Sequence, residues 1–128
     1  MINETMLHHV AVNVSDVKAA KHFYGTVLGL QELERPNFDF DGAWYQIGQQ
    51  QLHLIHDQTM KPKETTAINT RAAHFAIRVK DYHKGLAKLK QQNVPLVENP
   101  SSVSGFAQFF CADPDGNVIE LHVDQKDL

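Results

Sequence analysis

The sequence has one cysteine, Cys111, so no disulfide can form within the chain and stability must come from a packed core. No apolar run approaches the roughly 18 residues a membrane-spanning helix needs, and no membrane association is expected. Charge of either sign is scarce in excess. Twelve Lys and Arg against fifteen Asp and Glu leave a formal −3, which argues against a broad nucleic-acid surface. The opening residues, MINETM, are not a basic segment leading into an apolar one, so no secretory signal is expected. With the lone thiol, this fits a reducing cytoplasm. Cys111 lies between Phe110 and Ala112 on a predicted strand and reads as a small core residue rather than a nucleophile.

Histidine is what the chain has in plenty, eight in 128 residues, and the count matters only if several converge. Residues 7–14 (LHHVAVNV) alternate, with Val10, Val12 and Val14 on one face and His9, Ala11 and Asn13 on the other, which predicts a half-buried strand. Asp16 stands at a helix N-cap, apolar residues recur at helical spacing over 16–28, and Gly29 supplies a stop. A strand over 30–36 ends at Pro36. A hairpin over 43–48 and 50–55 follows, turning near Gly48, with His53 on the face opposite Leu52 and Leu54. Residues 57–72 are polar, without periodicity, and read as a linker.

The pattern then restarts. Residues 73–79 alternate as the first strand does, with His74, Ala76 and Arg78 on one face. Asp81 takes the place of Asp16, a second helix runs over 81–92, and a short strand spans 95–98. Strands over 106–112 and 117–124 close a last hairpin across the turn Asp113-Pro114-Asp115-Gly116. The order is βαβββ twice, a module over about 7–56 and another over about 73–124, within a single α+β domain over 1–128. His74 follows His9 by 65 residues, and Glu120 follows His53 by 67.

That repeat defines a site. Each half carries one metal-capable residue on its first strand and one on its last, all on the face opposite the helix. His9, His53, His74 and Glu120 are therefore the expected ligands of a divalent ion, with Zn, Ni, Co, Mn or Fe suited to three imidazoles and a carboxylate. A carboxylate between Ile119 and Leu121 is costly to bury unless a positive group meets it. His122, two residues on, shares the face of Glu120 and is expected to support it from behind or to line the substrate pocket; as a ligand in place of His53 it would break the symmetry. Asn13 and Arg78 share the same face and Trp44 lies nearby, so these too are placed along a substrate pocket. His8 is expected to point to the helix side, and His22 and His83 to be solvated.

The segments LHHVAVNVSD (7–16), Phe23-Tyr24, Leu28-Gly29-Leu30, HFAIRV (74–79) and DPDGNVIEL (113–121) resemble the vicinal oxygen chelate superfamily, which includes glyoxalase I, extradiol dioxygenases and the fosfomycin- and bleomycin-resistance proteins. The stretch 38–54 is similar to a glyoxalase-I-like subgroup. The resemblance implies paired βαβββ modules in an open U-shaped mixed barrel, usually a homodimer, and metal ligands at His9, His53, His74 and Glu120. It implies a lyase or isomerase in which the ion chelates two neighbouring oxygens of a small substrate and stabilises an enolate-type intermediate, acting as a Lewis acid. Glu120 is then the preferred base and His53 the second choice. Two departures stand out. His53 occupies a position usually held by glutamate in glyoxalase I, and Asn13 one where that enzyme tends to carry an arginine for glutathione. The alternatives are an Fe(II) ring-cleaving dioxygenase, which wants two histidines and one carboxylate, and a protein that binds an antibiotic or metabolite without turnover.

Overall fold

The computed structural model of the chain describes residues 2–63 and 67–128. Positions 64–66 of the expected linker lie outside the described residues. Two compact units divide the chain, Met1–Lys61 and Pro62–Leu128.

The first unit begins with β1 (His9–Val14), followed by the short helix α1 (Val17–Lys21) and a π-helical turn (His22–Val27). Strands β2 (Gln31–Leu33), β3 (Gly42–Ile47) and β4 (Gln50–His56) complete a sheet of order β1-β4-β3-β2. The pairing of β1 with β4 is parallel and the others are antiparallel. Asp16 caps α1, its carboxylate accepting from Ala19 N at 3.0 Å.

The helix expected over 16–28 is thus half α and half π. Leu28 N reaches Phe23 O, an i to i−5 bond of 2.8 Å. Gly25, at the middle of the turn, lies beside the Tyr45 ring, where a Cβ would be in ordinary contact at 3.5 Å. The widened turn lets Phe23, Tyr24 and Val27 all be buried. Gly29, at φ 79°, then ends the segment as expected.

The second unit repeats the order: β5 (His74–Arg78), α2 (Tyr82–Gln91), β6 (Val97–Asn99), β7 (Phe106–Ala112) and β8 (Val118–Asp124). Its sheet runs β5-β8-β7-β6, with β5 and β8 parallel. Asp81 caps α2 by accepting from Lys84 N at 3.0 Å, the same bond at the equivalent position. The β7–β8 turn is tied by Asp113, whose Oδ1 accepts from Asp115 N and Asn117 N, and Gly116 N closes it onto Asp113 O.

Strand registers carry the repeat to single residues. His9 lies opposite Gln51 in β4, and His74 lies opposite Val118 in β8. In both halves the last-strand donor, His53 or Glu120, is therefore the diagonal neighbour of the first-strand histidine. The cores sit on the other face: Val14, Ala20, Tyr24, Leu52 and Leu54 in the first unit, and Ile77, Leu86, Leu89, Ile119 and Leu121 in the second. β4 and β8 are interior strands of their sheets, as β3 and β7 are, and Val118–Val123 are buried throughout. No described helix is long and apolar enough to cross a membrane.

Candidate functional site: two equivalent donor pairs

In the first unit, β1 and β4 bring His9 and His53 into a parallel stack, ring centroids 4.0 Å apart at 15°. Trp44, opposite His53 in the β3–β4 register, covers the other face of His53 at 4.0 Å and 4°. His53 Nε2 is 2.9 Å from Gln51 Oε1, so with that oxygen as acceptor Nε2 carries the hydrogen and Nδ1 keeps the lone pair. Burial, with the positive neighbourhood of His9, His8 and Arg35, pushes the His53 ring down to about 4. A neutral imidazole oriented from one nitrogen is the form a metal accepts.

His8 precedes β1, so strand alternation does not govern it. Instead of turning to the helix side alone, it brings Nδ1 within 2.9 Å of His9 Nδ1. His22 and His83 are exposed, as expected.

In the second unit the equivalent pair is His74 and Glu120. His74 Nε2 stands 3.3 Å from Glu120 Oε1, and His74 Nδ1 is 2.7 Å from Ala72 O. A backbone carbonyl can only accept, so Nδ1 is the donor. That leaves Nε2 and Oε1 presenting lone pairs to one another unless a positive species joins them: a second ring proton or a metal ion. Phe110 pairs with Glu120 across β7–β8 and meets the His74 ring edge-on at 5.7 Å. It is the counterpart of Trp44. Cross-strand pairing across the β7–β8 hairpin points to it, but strand alternation alone passes it over.

Glu120 and His122 are both buried, and His122 Nδ1 reaches Glu120 Oε2 at 2.6 Å. Arg78 is half-exposed and pairs with Asp124 at 3.1 Å, with its guanidinium 5.7 Å from the Phe106 ring. Asn13 lies on the exposed face of β1. Beyond Trp44 the first unit continues into Phe38 and Phe40, and the Arg35 guanidinium sits 4.8 and 5.0 Å from their rings. Arg35 escapes a periodicity argument because the loop after β2 has no period.

Among the described residues, no three or more His, Cys, Asp or Glu side chains are gathered into a group that could hold a metal ion. Each unit, taken by itself, carries one donor pair, and imidazole and carboxylate are donor types that suit a borderline divalent ion.

Residues 6–121 match the family model of the Glyoxalase/Bleomycin resistance protein/Dioxygenase superfamily. Glutathione transferase FosA of Serratia marcescens is 30% identical over 122 residues, covering 91% of this chain and 79% of that one. Metallothiol transferase FosB of Staphylococcus epidermidis is 26% identical over 119 residues, covering 92% and 81%. Among solved structures, a glyoxalase family protein from Bacillus anthracis superposes with a TM-score of 0.81 at 25% identity, covering 97% and 99%.

Proposed function

The chain belongs to the Glyoxalase/Bleomycin resistance protein/Dioxygenase superfamily, and from that membership and its two donor pairs we propose that it is a divalent-metal-dependent lyase or isomerase of the glyoxalase-I-like type. The ligands in this reading are His9, His53, His74 and Glu120, and the substrate is a small molecule with two neighbouring oxygens. The observation that carries it is the His74–Glu120 pair, a ring nitrogen on β5 and a carboxylate oxygen on the buried strand β8, 3.3 Å apart at the positions equivalent to His9 and His53. When bound, the ion supplies Lewis acidity toward the substrate oxygens.

The chain's own residues supply the rest. Gln51 and Ala72 O fix the rings of His53 and His74. Trp44 stacks on His53 and Phe110 meets His74 edge-on, so each donor pair has an apolar ring beside it. The proton on the substrate carbon is taken by Glu120, or by His53 if Glu120 serves only as a ligand. The same reading includes a homodimer, which light scattering in solution checks.

A second reading is transfer of a thiol to a small electrophile, favoured by the 30% identity to a glutathione transferase over 91% of the chain. One experiment separates the two. Protein loaded with Zn, Ni, Co, Mn or Fe(II) is given the methylglyoxal–glutathione adduct in D₂O, and separately glutathione with a small epoxide. Conversion of the adduct with solvent deuterium exchange supports the lyase or isomerase; conjugation of the epoxide without it supports transfer.

A further inference from the structure

The two oxygens of Glu120 have different partners. Oε1 faces His74 Nε2 at 3.3 Å, and Oε2 receives a hydrogen bond from His122 Nδ1 at 2.6 Å. The second is a short bond to a charged acceptor between side chains that are 8% and 5% exposed, where breaking it would strand a carboxylate oxygen without water.

His122 is itself held on several sides. Its ring stacks on Phe106 at 4.2 Å and 5°. Arg78 approaches Phe106 within 5.7 Å, and its ion pair with Asp124 ties it down. Val79 N donates to His122 O, locking the β8 backbone to β5 at that residue. The stack fixes the plane of the ring, and of the two flips within that plane the hydrogen bond selects the one that aims Nδ1 at Glu120.

The first unit does this differently. The repeat position of His122 is Ile55, which has no donor, and His53 is steadied by Gln51 from the opposite side along the strand. The difference follows from the donors. An imidazole ligand needs its tautomer set, which one acceptor does. A carboxylate has two competent oxygens, and limiting it to one requires a donor on the other.

We propose that His122 is a positioning residue: it occupies Glu120 Oε2, leaves Oε1 alone toward His74, and so makes Glu120 a one-oxygen ligand. This rests on the metal reading above. A one-oxygen carboxylate leaves more of the ion's coordination sphere for substrate oxygens, which is the use the proposed reaction has for it.

The test compares His122→Leu, which fills the volume without a donor, with His122→Asn, whose amide nitrogen falls near the place of Nδ1. Affinities for Zn²⁺ and Co²⁺ are measured by competition with a chromophoric chelator, alongside melting of the metal-free proteins. His122→Leu is expected to weaken binding about 10- to 100-fold, the scale seen when the partner of a metal ligand is removed. His122→Asn restores most of it, although the two metal-free variants melt together. The Co²⁺ absorption spectrum shifts in His122→Leu and not in His122→Asn. Wild-type affinity in His122→Leu, or equal losses in both variants, overturns the positioning role. If wild-type protein binds neither ion, the metal reading falls, and this inference falls with it.

Discussion

His74 Nε2 and Glu120 Oε1 stand 3.3 Å apart with the other ring nitrogen committed to Ala72 O. The same diagonal across the equivalent parallel pair, β1 and β4, puts His9 against His53, 4.0 Å between rings. Two halves of one chain thus present paired donors at matched positions, and the predictions below follow from those pairs and the scaffold around them.

Trp44 is the chain's one tryptophan, and it lies flat on His53. Loading the donor pair changes the electronic environment of the stacked indole. Titration with Zn²⁺ is expected to change tryptophan emission saturably, and His53→Ala to abolish the change. Emission that is insensitive to metal in the wild type would disconnect His53 from binding.

Asp16 and Asp81 cap equivalent helices with equivalent bonds of 3.0 Å. Alanine at either is expected to cost about 0.5–2 kcal/mol, read from urea denaturation. Similar losses at the two sites are predicted, because each carboxylate satisfies one otherwise open helix N–H.

The structural equivalence of those caps was legible in the sequence, as were most strands to within one to three residues. Strand alternation and turn residues report the face a side chain takes, and the observed registers put His9 and His74 at equivalent positions of their own sheets, and His53 and Glu120 likewise. Alternation says nothing of which atoms meet. It put His122 beside Glu120 without showing that it takes Oε2, and put Arg78 on the same face without its bond to Asp124. The π turn over His22–Val27 was also hidden, because apolar spacing that fits an α-helix does not tell an i to i−5 bond from an i to i−4 one.

Asp124 accepts from Arg78 Nη2 at 3.1 Å, and that hydrogen bond holds its carboxyl below the ordinary carboxylate range. A folded-state value below the unfolded one adds stability above the unfolded pKa of about 3.9, and the gain is lost as pH falls through the lower folded value. Asp124→Asn is therefore expected to flatten part of the loss of stability below about pH 4 and to leave a small deficit at neutral pH, since the pair is solvent-exposed. Denaturant midpoints measured from pH 2.5 to 7 check both.

Cys111 is fully buried, and burial, reinforced by Asp113, pushes its thiol up to about 12. Thiolate is the reactive form, so the native protein at pH 8 is expected to resist a disulfide reagent and to react promptly once unfolded. Fast native reaction would contradict the packing of β7 against β8 described above.

The central claim is that His9, His53, His74 and Glu120 hold a divalent ion, and equilibrium dialysis with elemental analysis tests it most directly. Wild-type protein is expected to retain roughly one ion per chain, and alanine at any of the three histidines or Glu120→Gln to reduce affinity by at least about 100-fold. No binding above background in the wild type, or undiminished binding when all four are replaced, would contradict it.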